Sequence, residues 1–146
     1  MPTDLKVLTG REASIFACLT DTVVAPEPLL PAVRHTDAVS FFDEWLTMVP
    51  RLNRVGLRVL LWVAELAPLA AGRGARLRRL DRARRAEWLT AVEHAPLTQL
   101  RLIAKLMTSA AQVSYYGNDE VLARLGYDAQ ANLDRGRRLR AAEGRP

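Results

Sequence analysis

The sequence predicts an all-α fold, a single compact bundle of about six helices, and three observations carry that prediction. Alanine, leucine and arginine dominate while aromatic and β-branched residues are sparse, a mixture that favours helix over sheet. Apolar residues recur at three- and four-residue steps, and no stretch alternates long enough to make a strand. Capping residues and prolines bound the periodic segments. With 146 residues, 49% apolar and 25% charged, the chain suits one globular domain with a real core.

The first helix opens on Thr9-Gly10-Arg11-Glu12, a capping box in which the Thr9 hydroxyl and the Glu12 carboxylate each accept the other's backbone N–H. Ile15, Phe16, Leu19 and Val23 share one of its faces. Pro26, Pro28 and Pro31 then impose a non-helical crossing. Thr36 or Asp37 can cap a second helix with Phe41, Phe42, Trp45, Leu46, Met48 and Val49 on a broad apolar face. From Arg54 to Ala67 the chain is apolar almost all round, with Arg54, Arg58 and Glu65 as a narrow polar edge. Such a helix is expected to be the central, mostly buried one, ended by Pro68 and Gly72-Arg73-Gly74.

Leu77 and Leu80 introduce an arginine-rich helix that packs through Trp88, Leu89 and Val92. Pro96 suits the first turn of the next, where Leu97, Leu100, Ile103, Ala104, Met107 and Ala111 face inward. Arg101, Lys105, Thr108 and Gln112 form the opposite polar stripe. Asn118 caps a short helix with Asp119 and Glu120 in its first turn, and Gly126 stands at the left-handed position after its end. The organisation expected is an N-terminal arm over 1–8, a helical domain over 9–128 and an Arg-rich, flexible tail over 129–146.

Little in the chain suggests chemistry of its own. A single cysteine, Cys18, permits no internal disulfide, and its apolar neighbours suit a structural role better than a nucleophile. His35 and His94 lie far apart, outside any spacing that would set two ligands on one helix face. No phosphate-binding loop, dinucleotide fingerprint or nucleophile elbow occurs, and acidic pairs such as Asp43-Glu44 and Asp119-Glu120 suit helix surfaces and starts. The expectation is a chain that is not an enzyme and holds no metal or cofactor. The most apolar stretch, Val59 to Ala71, is interrupted by Glu65 and Pro68 and falls short of the roughly 20 residues of a bilayer span. With no signal pattern at Met1-Pro2-Thr3-Asp4-Leu5-Lys6, the expected location is cytoplasmic.

The formal charge of +5 rests mostly on arginine. Arg73, Arg76, Arg78, Arg79, Arg82, Arg84 and Arg85 cluster tightly, which could suit a phosphate backbone. They fall on several helix faces, however, and the preceding helix is too apolar for the first half of a helix-turn-helix. A basic helical module that binds nucleic acid or regulates is therefore the alternative reading, and a solvated face or an acidic protein partner the favoured one.

Three blocks then stand in order: Leu8-Thr9-x-Arg11-Glu12-Ala13 opening a helix that runs into prolines, the mid-chain apolar helix, and Tyr115-Tyr116-Gly117-Asn118-Asp119-Glu120-Val121-Leu122-x-x-Leu125-Gly126-Tyr127. The pattern resembles the gluconate 2-dehydrogenase subunit 3 family, small helical subunits of flavin-dependent dehydrogenases. It is also similar to the N-terminal region of long-chain fatty alcohol oxidases of the glucose-methanol-choline (GMC) superfamily. The similarity covers most of residues 8–128, and its specific part is the Tyr115–Tyr127 block.

The resemblance implies a non-catalytic accessory subunit in a hetero-oligomer, which stabilises or helps assemble a GMC-type large subunit that carries the FAD. It implies no catalytic residue here. Many exported members of the family carry a twin-arginine signal that this sequence lacks, which favours a cytoplasmic complex or a detached counterpart of the alcohol-oxidase N-terminal region over a role in export. Tyr115, Tyr116, Tyr127, Trp62, Arg78, Arg82 and Arg85 are the candidate partner-interface residues. For Tyr115 and Tyr116 two readings stand open, rings that close the core or anchors inserted into the partner, because neighbouring helical residues point about 100° apart.

Overall fold

The computed structural model describes residues 4–26 and 28–142. Among them it contains seven α-helices, two 3₁₀ turns and no strand: α1 (Gly10–Val24), α2 (Ala38–Met48), α3 (Arg51–Ala70), α4 (Arg82–Glu93), α5 (Thr98–Tyr116), α6 (Asp119–Arg124) and α7 (Ala129–Ala142). The 3₁₀ turns, Val33–His35 and Leu77–Arg79, carry the chain into α2 and α4.

The start of α1 follows from its capping box. Glu12 N–H donates to Thr9 Oγ1 at 3.3 Å and Thr9 N–H to Glu12 Oε2 at 2.8 Å. α2 is capped by Thr36, whose Oγ1 accepts the Ala38 N–H at 3.4 Å, while the Asp37 carboxylate is taken by the Asn118 side-chain amide. α6 begins with Asn118 Oδ1 accepting the N–H groups of Glu120 and Val121 at 3.0 and 3.2 Å. It ends with Gly126 at φ +69°, where Tyr127 N–H reaches Leu122 O and Gly126 N–H reaches Ala123 O.

Pro68 does not end α3. It lies two residues from the end, the loss is confined to the one N–H that it cannot donate to Ala64 O, and the same two-bond closure forms beyond it. Arg73 N–H donates to Pro68 O and Gly72 N–H to Leu69 O.

The centre of the molecule is α1, not α3. α1 touches α2, α3, α4, α5 and both 3₁₀ turns. Its Ala13, Ile15, Phe16 and Leu19 are essentially solvent-free and pack with Phe42 and Leu46 of α2, Leu57 and Leu61 of α3, Leu77 and Met107. Phe16 and Phe42 stack with centroids 3.9 Å apart. A satellite cluster of Val33, Ala38, Tyr115 and Val121 closes the other end. α3 covers this core with one narrow buried face, Leu57, Leu61, Glu65 and Pro68, flanked by half-buried Leu60 and Trp62, and leaves Leu52, Val55, Val59, Val63, Leu66 and Leu69 exposed. The expected buried central helix is thus corrected: α3 is apolar on its outer face as well as its inner one.

Both flanks of the helical domain carry bonds of their own. Residues 4–8 are tied to the domain, because Asp43 accepts the backbone N–H groups of Lys6, Val7 and Leu8 at 2.6, 3.0 and 2.7 Å. The stretch expected to be a flexible tail is helical over Ala129–Ala142. Asp128 caps it through the Ala131 N–H, and Asp134 pairs with Arg137 one turn on. The remainder of that tail, residues 143–146, and the first three residues of the arm lie outside the described residues.

Candidate interaction surface

Of the arginines expected at an interface, Arg78 and Arg85 are tied into the fold, while Arg82 bonds α1 from an exposed position. Arg78 donates through Nε to Glu65 Oε1 at 3.1 Å and through a terminal nitrogen to Ser14 Oγ at 3.1 Å. Its own backbone N–H also reaches Glu65 Oε2. Arg82 donates to Asp21 O at 2.8 Å. Arg85 reaches Thr22 Oγ1 at 2.9 Å, Asp21 Oδ2 at 3.2 Å and Leu80 O at 3.3 Å. Together the three bolt the 3₁₀ turn Leu77–Arg79 and the start of α4 onto α1. This accounts for three of the seven arginines in the dense basic run as internal cross-links.

The candidate aromatic residues separate. Tyr115 is fully buried and donates its hydroxyl to Pro31 O at 2.7 Å, and burial pushes its phenol up from the ordinary value. It belongs to the core. Tyr116, set edge-on to it with centroids 5.2 Å apart, is at the surface, as is Tyr127. Trp62 is half-buried, donates Nε1–H to Glu12 Oε1 at 3.2 Å and lies under the Arg11 guanidinium.

Glu12 therefore gathers one end of the α1–α3 contact. Arg58 donates Nε to both its oxygens, at 3.0 and 3.2 Å, beside the Trp62 and Thr9 bonds. Burial alone would raise its carboxyl. The Thr9 backbone N–H, the Arg58 guanidinium and the Thr9 hydroxyl outweigh burial and hold it below the usual carboxylate range. Cys18 is half-buried, and burial raises its thiol despite nearby Arg85. His35 accepts from the Arg34 guanidinium, and the His94 ring meets Thr90 O. Among the described residues, no three His, Cys, Asp or Glu side chains gather closely enough to hold a metal ion.

What the fold leaves open is apolar. Phe41, Phe42 and Trp45 of α2 face Leu106, Ala110 and Val113 of α5 across a groove with almost no polar lining. Trp45 and Leu106 also line a second hollow, which continues over Met48, Val49, Pro50, Gly56, Leu57 and Leu60. Beyond Gly56 the surface passes onto the outer face of α3, where Leu52, Val55, Val59, Val63, Leu66 and Leu69 are 82, 56, 54, 43, 41 and 45% exposed. Scattered exposed leucines are ordinary, whereas a contiguous apolar sheet across three helices marks a docking surface.

Sequence reasoning missed this surface because an all-round apolar helix reads as buried. The signal that separates the cases is the spacing of Leu52, Val55, Val59, Trp62, Leu66 and Leu69, a strict alternation of three and four. No helix among the described residues is long and apolar enough to cross a membrane. No protein-family model matches the chain, and neither a curated protein nor a solved structure matches it.

Proposed function

We propose that the chain is a non-catalytic accessory subunit that packs against a larger partner and stabilises it. The observation that carries this reading is the apolar surface running from Phe41 and Trp45 on α2 to the outer row of α3. Surfaces of that kind are costly in water and are retained where another molecule covers them. The partner proposed is an FAD-dependent GMC-type catalytic subunit in a cytoplasmic hetero-oligomer. The support for that identity is the Leu8–Ala13 and Tyr115–Tyr127 pattern. FAD and the catalytic groups belong to the partner.

Co-expression with a GMC-type flavoprotein, sought first in the gene beside this chain's own, tests the reading. A stable complex retaining yellow flavin, and a flavoprotein that loses yield without this chain, are the expected outcomes. Recovery of the flavoprotein in full yield and activity alone, with no complex in size-exclusion chromatography, would refute it. The alternative of nucleic-acid binding has less support, since Arg78, Arg82 and Arg85 already bind α1. Salt-dependent DNA binding abolished by neutralising half-buried Arg76 and exposed Arg79 would revive it.

A further inference from the structure

Helix α3 is two-faced in an uncommon way. Its inner face meets the core through Leu57, Leu61 and Pro68, and its single acidic residue, Glu65, is turned inward onto Arg78. Its outer face carries Leu52, Val55, Val59, Trp62, Leu66 and Leu69 in unbroken three-four alternation. At 1.5 Å per residue that row runs roughly 26 Å. Alternation of this kind is what one helix presents to the side chains of another along a shared seam. Gly56 borders the row with open space where a Cβ would stand, so a neighbouring backbone can approach there.

The exposed charges along the row are positive, since the carboxylate beside it, Glu12, is buried against Arg58 and Trp62. Arg51 is exposed beside Leu52, Arg58 flanks Val59, and the Arg11 guanidinium sits 5.3 Å from the centre of the Trp62 ring. Arg58 is paired with Glu12, whereas among the described residues neither Arg11 nor Arg51 forms a salt bridge. A second copy of this chain is a poor occupant. Two α3 helices laid together would bring arginines alongside one another with no exposed α3 carboxylate to meet them. A lipid surface would need an apolar face but not the alternation.

We propose that the outer face of α3 is the seam onto which a partner protein docks one amphipathic helix, with apolar residues at three-four spacing and Asp or Glu along its edges. The inference deepens the accessory-subunit reading by naming the element and the complementary chemistry, and it does not depend on the partner being a flavoprotein.

The probes are two fluorescein-labelled peptides of about 24 residues, with leucine at the seam positions and either glutamate or lysine flanking them. Anisotropy with the full chain is expected to show the acidic peptide binding at least about tenfold tighter than the basic one. Val59→Glu and Leu66→Glu, both at exposed positions, should each weaken it by about tenfold or more, while Leu102→Glu on α5 should not. Thermal melts establish that each variant is folded.

Equal binding of both peptides, or binding indifferent to Val59→Glu and Leu66→Glu, would overturn the proposal. Flotation with phosphatidylglycerol vesicles that those variants abolish, without peptide binding, would reassign the face to membrane. A dimer in sedimentation velocity that they dissolve would reassign it to a second copy. If a flavoprotein complex forms and is insensitive to both variants, the seam is wrong and the accessory reading stands. If the acidic peptide binds through the seam but no flavoprotein does, the reverse holds.

Discussion

Two side chains carry the sharpest consequences of burial. Glu12 binds its proton less readily in the fold than in the unfolded chain, because its hydrogen bonds and Arg58 outweigh desolvation. Its contribution to stability is therefore complete above the ordinary carboxylate pKa and is lost as pH falls through the lower, folded value. Glu12→Gln should lower the urea midpoint at neutral pH, by about 1–3 kcal/mol of stability. Its deficit against the parent should shrink between about pH 5 and pH 3. A deficit that stays constant across that range would show that the charge is not what Glu12 contributes. Cys18 shifts the other way, since burial disfavours its thiolate. Iodoacetamide should alkylate it several-fold more slowly than free cysteine at mildly alkaline pH, and at the free rate in urea. Rapid alkylation of the folded chain would mark an activated thiol instead.

At the scale of elements, local signals and tertiary choices separate cleanly. The capping box at Thr9, the Asn118 cap and the Gly126 closure were legible because each is decided within a few residues. The Asp128 cap that makes residues 129–142 a helix was equally local. It was hidden because that helix has no apolar face to announce it. The fastening of residues 6–8 to Asp43 spans more than thirty positions and left no trace in spacing. Asp43→Ala should free this segment, at about 2–3 kcal/mol, because the buried Leu8 N–H loses a charged acceptor. Trypsin should then cut after Lys6 much faster than in the parent. Asp43→Asn should fall between the two, as one oxygen still accepts from Val7 and Leu8 while its amide opposes the Lys6 N–H. Unchanged cleavage in Asp43→Ala would mean that the packing of Leu5 and Leu8 alone holds the segment.

For the whole molecule, composition announces how much apolar surface exists but not where the fold runs out of interior. Leu57 and Val59 are alike as sequence, yet one is 7% exposed and the other 54%. The difference arises because α1 took the centre and left α3 a single core-facing side. Positive charge likewise reads as surface, whereas Arg78 and Arg85 bind Glu65, Ser14, Thr22 and Asp21 within the fold. Stability and surface hydrophobicity should therefore be separable by mutation. Phe16→Ala, at a fully buried position stacked on Phe42, should cost about 3–5 kcal/mol. Val59→Glu combined with Leu66→Glu removes comparable apolar bulk from the outer face of α3 and should change stability by less than about 1 kcal/mol. The same double variant should bind less of the hydrophobic dye ANS than the parent does. Chemical denaturation and dye fluorescence on the three proteins check this together. A double variant as destabilised as Phe16→Ala would mean that the outer face of α3 is already covered by this chain and is not a surface awaiting a partner.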